Sequence, residues 1–313
     1  MCDFRGILIG CVEENGYFCD MKSGKFSLIV LLSCLTAGCA GGSAGDDRLS
    51  VTVSIPPQAW FVEAIAGDSA KVNVLLPSGA NPESFEPGMS AIRDASASRL
   101  MIVSGGLAFE QELGKKIGTG DGSERLVVNA SDGIDLLYGT HDHSCEDGHH
   151  HHHGEADPHT WTSVKNGRVI ATNIYNALKE ADPEREAYYT ERYDKLIARI
   201  DSLDGVIAGQ LADSRGEAIL VMHPSLGYFA RDYGMRQVSI GSEGKDMSVQ
   251  GLKRQLDDAR STEGGVLFVQ AEFDSRQAES VAEQVNARVE VVNLLNPDWE
   301  GELMRIANVL AGK

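Results

Sequence analysis

Ligand-type side chains crowd one short stretch of this chain, residues 141–163, HDHSCEDGHHHHHGEADPHTWTS. Seven of the nine histidines lie between His141 and His153, and an eighth, His159, follows in a DPHTW turn. Neutral imidazole is the commonest protein ligand for zinc and other borderline divalent metals, with Asp, Glu and Cys as its usual companions. The stretch therefore reads as metal chemistry. A purification tag is the bland alternative, but tags sit at chain ends, and this run is internal and interleaved with Asp142, Glu146, Asp147 and Glu155. His141, His143, His149, His150, His151, His152 and His153 form a low-complexity segment too polar to pack, expected to stay disordered without metal. Cys145 among them is either a soft metal ligand or a free thiol.

The elements that must position such groups read as α/β. Short apolar runs at Ser50–Ile55, Lys71–Leu76, Leu100–Ser104 and Leu126–Asn129 alternate with helical patterns after Pro56, over 89–98 and over 108–117. A second series follows, with strands at Ala218–Met222, Gln237–Ile240, Val266–Gln270 and Val289–Asn293, and helices at 225–233, 248–260, 275–286 and 299–311. Between them a helix over 163–180 precedes another opened by Asp182-Pro183 and running to about Ala212. Its Tyr189, Tyr193, Leu196, Ile197, Ile200, Leu203, Ile207 and Leu211 recur in steps of three and four. At a rise of about 1.5 Å per residue this rod is about 40 Å long. The predicted architecture is two βα lobes with parallel-rich sheets, residues 50–182 and 213–313, joined by a rigid helix over 183–212. No sequence repeat relates the lobes.

The start of the chain is read apart from the fold. Residues 21–39, MKSGKFSLIVLLSCLTAGC, have basic Lys22 and Lys25, an apolar run and a small-residue cleavage site ending in Cys39. That is a secretory signal, too short for a comfortable transmembrane span. It resembles a bacterial lipoprotein signal, with Cys39 as the lipidated residue, Met21 as the true start and 40–49 as a flexible tether. Five of the six cysteines fall in this region, leaving Cys145 alone in the body, so no internal disulfide is available. A net charge of −18 argues against a nucleic-acid partner.

In open α/β sheets, ligands bind beyond the carboxyl ends of strands, often between lobes. Loops of that kind carry Glu83 in GANPESFEP, His159 in DPHTW, His223 in VMHPSLGYF and Asn293 in VVNLLNP. Each has an ordinary reading: a solvated carboxylate, a turn residue, a buried hydrogen-bonded histidine. Both isolated histidines falling in such loops favours a metal site between the lobes.

At these residues the chain resembles the substrate-binding proteins of zinc and manganese ABC importers, the zinc members most closely. The resemblance spans nearly all of residues 50–313 and rests on GANPESFEP, DPHTW after a His/Asp-rich loop, HPSLGYFARDYGM, FVQAEFDSRQAESVAEQV and the final NPDW segment. It implies a metal held between two α/β lobes by three histidines, often with a carboxylate or water. His159 and His223 match two of those histidines, whereas the first falls at Glu83. Zinc accepts carboxylate oxygen at about 2.0–2.2 Å, but a harder donor set moves preference towards manganese or iron. The family's fourth carboxylate falls near Asn293, a weak neutral ligand at best, and Glu272 is a possible substitute. The histidine-rich loop favours zinc and would act as an accessory collector.

The resulting expectation is a monomeric, lipid-anchored protein on the periplasmic side of a Gram-negative bacterium that delivers Zn²⁺ to the membrane permease of an ABC importer. A manganese or iron carrier is the alternative within the family, and a buffer that never docks is its quieter version. A secreted zinc hydrolase is the alternative from another class, weakened by the lack of HExxH and of a second carboxylate to act as base. Relatives have also been given adhesin roles, but no adhesion module is visible.

Overall fold

The structure, a computed structural model, describes residues 47–117, 125–138, 156–240, 265–273 and 275–312. The chain divides at its beginning into Met1–Asp46 and a second unit, Asp47–Lys313. The fold is that of the second unit; the signal, Cys39, the histidines of 141–153, Cys145 and the helix expected over 248–260 lie outside the described residues.

Two four-stranded parallel sheets organise it. The first holds β1 (Leu49–Val53), β2 (Ala70–Val74), β3 (Leu100–Val103) and β4 (Leu126–Asn129) in the order β2-β1-β3-β4. The second holds β5 (Ala218–Val221), β6 (Arg236–Ser239), β7 (Val266–Gln270) and β8 (Arg288–Val292) in the order β6-β5-β7-β8. The two orders are the same once each sheet is numbered from its own first strand. The lobes thus repeat in topology where no repeat is legible in sequence. Central strands such as LSVTV and VLFVQ are covered on both faces, as parallel sheets require.

The described helices are α1 (Pro56–Ala66), α2 (Met89–Ser96), α3 (Ala108–Ile117), α4 (Val164–Ala181), α5 (Glu186–Gln210), α6 (Gly227–Asp232), α7 (Ser275–Val285) and α8 (Trp299–Leu310). Local chemistry sets their ends. Prolines occupy the first turn of α1, where the missing N–H is not needed, and the Gln58 side chain accepts from the backbone N–H of Ser54 and Ile55. Ser163 caps α4 by accepting from Asn166 N, and Asp298 caps α8 by accepting from Gly301 N.

The linking rod differs slightly from its expected form. Pro183–Arg185 make a 3-10 turn, the α-helix runs 25 residues from Glu186, and a further 3-10 turn begins at Ala212. Its buried residues, Tyr189, Leu196, Ile200, Leu203 and Ile207, form one stripe. That stripe joins a single core that also contains Val51, Val53 and Ile102 of the first sheet and Ile219, Val221 and Phe268 of the second. Burying each such aliphatic side chain is worth roughly 1.5–3 kcal/mol. This outweighs surface ion pairs such as Arg168–Asp201, which solvent screens.

Two indoles stitch the lobes beside the site. Trp161 Nε1 donates to the carbonyl of Leu294 (2.8 Å), and Trp299 Nε1 donates to the carbonyl of Trp161 (2.6 Å). The absence of a side chain at Gly167 lets α4 approach the Trp299 ring, since a Cβ there would lie 2.5 Å from it. Among the described residues, no helix is long and apolar enough to cross a membrane.

Candidate metal centre

Glu83, His159 and His223 leave the carboxyl ends of β2, β4 and β5, and the fold brings them to one point. One ligand atom from each lies within 4.8 Å of the others. Tetrahedral zinc with bonds of about 2.1 Å holds its donors about 3.4 Å apart, so at most a small contraction separates this triad from a coordination shell. His223 Nε2 already lies 2.9 Å from Glu83 Oε1.

Each side chain is held by its loop. The Asn81 side chain accepts from Glu83 N (2.8 Å), turning the loop so that Glu83 faces the second lobe. His159 is fixed by Asp157, whose Oδ1 lies 2.8 Å from Nδ1 and accepts from the His159 backbone N–H at 2.9 Å. With Nδ1 engaged, Nε2 is the nitrogen left to bind a metal, the arrangement that orients metal-binding imidazoles generally. Asp157 is itself anchored from both lobes: its N–H donates to Leu137 O, and Tyr228 Oη donates to its carbonyl. Gly106 allows the loop after β3 to back this turn closely, since a Cβ there would come within 2.8 Å of Pro158. Phe273 stacks on His223 with centroids 5.3 Å apart, and Trp161 lies 5.4 Å from His159.

Burial divides the triad. The His159 and His223 side chains are 4% and 7% exposed, whereas Glu83 is 41% exposed and forms the solvent side. The hydrogen bond from His223 holds the Glu83 carboxyl below the usual carboxylate range, with burial opposing and the charges of His223 and His159 assisting. Two buried nitrogens and one ionised oxygen can capture a divalent cation.

Residues 51–305 match the family described as zinc-uptake complex component A, periplasmic. The chain belongs to this family. It is 28% identical over 282 residues to the high-affinity zinc uptake system protein ZnuA of Bacillus subtilis, covering 86% of this chain and 88% of that one. The zinc-binding lipoprotein AdcA of Streptococcus pneumoniae is 24% identical; the match covers 88% of this chain but only 56% of AdcA, so this chain spans about half of that relative. The manganese ABC transporter substrate-binding lipoprotein PsaA of Streptococcus mitis is also 24% identical, over 85% of this chain and 87% of that one. Among solved structures, a zinc-bound ZnuA lacking residues 138–173 of its own chain superposes with a TM-score of 0.76 at 30% identity, covering 85% of this chain and 97% of that one. As a member of the zinc-uptake component A family, the protein is a metal-binding substrate-binding protein of an ABC transporter and not an enzyme.

Within this family member, the two further candidate donors are placed differently. Asn293 is a turn residue: its Oδ1 accepts from Leu295 N (3.1 Å), its own N–H donates to buried Glu302, and it does not line the cavity. The side-chain oxygen is thus already engaged by the loop, which leaves it one further lone pair for a ligand. Glu272, after β7, does line the cavity with the triad. Burial raises its carboxyl above the usual range, while its own backbone N–H and the nearby His159 and His223 act the other way. Asp157, Trp161 and Phe273 were not singled out from sequence. Only Asp157 carried a usable signal, an acid two residues before a candidate ligand.

Proposed function

We propose that the protein captures Zn²⁺ outside the cytoplasm at Glu83, His159 and His223 and delivers it to the permease of an ABC importer. The observation that carries this reading is the meeting of three donors from two lobes within 4.8 Å, with both imidazoles buried. A site assembled between lobes suits capture and release, because a shift of one lobe against the other moves Glu83 and His159 away from His223 and so loosens the cation. Zinc is the cargo we favour: two of the relatives above are named for zinc, the pair of imidazoles suits a borderline metal, and the histidine-rich 141–153 segment would gather zinc near the site. Anchoring through lipid on Cys39, a monomeric state and a periplasmic position complete the proposal.

Manganese is the second reading, favoured specifically by Glu83, a hard oxygen donor where the family resemblance implies histidine. Competitive titration of the full chain with Zn²⁺ and Mn²⁺ decides between them. Zinc displacing manganese at equal concentrations supports the proposal, and the reverse order transfers it to manganese.

A further inference from the structure

Glu272 is a half-buried ionisable side chain beside the site, and one of its carboxylate oxygens has no partner among the described residues. It follows β7 on the same carboxyl edge from which His223 leaves β5, and it lines the cavity with Glu83, His159 and His223. Its Oε2 is buried and accepts no hydrogen bond from any described residue. Among the described residues, the carboxylate is held by its own backbone N–H, with His159 and His223 acting on it through their charge. Removing a carboxylate oxygen from water without a donor is costly, and folded proteins keep such groups where a ligand or reaction repays them. Phe273, the next residue, stacks on His223 and so fixes this loop against a site residue. Asn293 offers less: its oxygen is neutral, already accepts from Leu295 N, and does not line the cavity.

We propose that Glu272 is a fourth donor, which turns onto the cation once Glu83, His159 and His223 hold it, and which sets how well hard Mn²⁺ competes with Zn²⁺. The inference rests on the metal-capture reading above. Glu272 stands outside the mutually close triad, so its engagement is a side-chain rotation that exchanges the contact with its own backbone for the metal. The completed shell holds two imidazole nitrogens and two carboxylate oxygens. Each added carboxylate oxygen favours a hard cation more than a borderline one, so Glu272 narrows the gap between manganese and zinc. It also adds a second negative charge to balance a divalent ion in the cavity.

The test compares the full chain with its Glu272→Gln, Glu272→Asp and His159→Ala variants, titrated competitively with Zn²⁺ and Mn²⁺. Visible absorption of the Co²⁺-loaded forms reads the coordination shell directly. Glu272→Gln keeps the shape and removes the charge. It is expected to weaken Mn²⁺ by at least about tenfold and Zn²⁺ by less, and to change the cobalt spectrum. If Glu272→Gln does not fold, Glu272→Asp, with a shorter reach, is expected to give the same selective loss. Unchanged manganese affinity and an unchanged cobalt spectrum in a folded variant would overturn the proposal. His159→Ala separates the two levels. If it retains tight binding, the capture site itself is misassigned; if it loses binding while Glu272→Gln behaves as the parent, only the fourth donor is wrong.

Discussion

His223 Nε2 donates to Glu83 Oε1 across 2.9 Å, so a residue of each lobe satisfies the other. A cation entering the site must take the place of the proton between them. Proton and metal therefore compete for the same nitrogen, and zinc affinity is expected to fall as pH is lowered. Glu83 acts in the opposite sense to a proton trap: its carboxyl is depressed, so it stays ionised and adds stability above its ordinary value of 4.5, losing it as pH falls below that. Zinc titrations across mildly acid to neutral pH check this. Affinity independent of pH would contradict the shared nitrogen.

Asp157 orients His159 without facing the metal. Asp157→Ala removes the acceptor for both Nδ1 and the backbone N–H of His159. Zinc affinity is expected to drop by roughly 10–100-fold, the usual cost of losing such an outer partner. Asp157→Asn, which keeps an acceptor oxygen, is expected to lose less. Competition titration against a chelator measures both, with thermal melting of the metal-free forms as the control for folding.

Trp161 reports on both site and lobe contact. Its ring lies 5.4 Å from His159 and its N–H donates to Leu294 across the lobes. Zinc is expected to alter intrinsic fluorescence, and Trp161→Phe to abolish most of that response. The same change leaves a buried carbonyl without its donor, at about 1–3 kcal/mol, and so lowers Tm by several degrees. A full fluorescence response in Trp161→Phe would assign the signal to Trp60 or Trp299 instead.

Much of this was legible in sequence, and the exceptions have physical causes. Strands over Leu126–Asn129 and Val266–Gln270 match to the residue, because unbroken apolar runs bounded by polar or glycine residues leave few alternatives. Glu83, His159 and His223 could be singled out because each follows a strand in a loop rich in Pro or Gly. The strand orders could not, since which strand pairs with which depends on contacts distant in sequence. Asn293 illustrates another limit: that its side chain closes a turn onto Leu295 N depends on one backbone geometry that sequence does not show. Asp157 escaped notice because its partner is the far nitrogen of a residue two positions on, a relation that depends on one backbone turn.

Buried tyrosines give a prediction about the fold that is independent of metal. Burial pushes the phenols of Tyr189 and Tyr228 up to about 12, and that of Tyr233 higher still, with Asp182, Asp157 and Asp204 respectively adding to the effect. A raised value means that folding holds the proton more tightly than the unfolded chain does. The stability this contributes is complete below 10, the unfolded value, and disappears as pH climbs towards 12. Of the eight tyrosines, these three are expected to ionise only together with alkaline unfolding. Ultraviolet titration of tyrosinate alongside circular dichroism checks it; ionisation of all eight before any loss of structure would contradict the packing.

The measurement closest to the central claim is a zinc titration of the protein lacking residues 141–153, with and without His159→Ala and His223→Ala. Loss of the histidine-rich segment is predicted to leave one tight site, and the paired substitution to abolish it, weakening binding by about a thousandfold or more, equivalent to about 4 kcal/mol. A tight site that survives the loss of both histidines would place metal capture elsewhere in the chain and contradict the account.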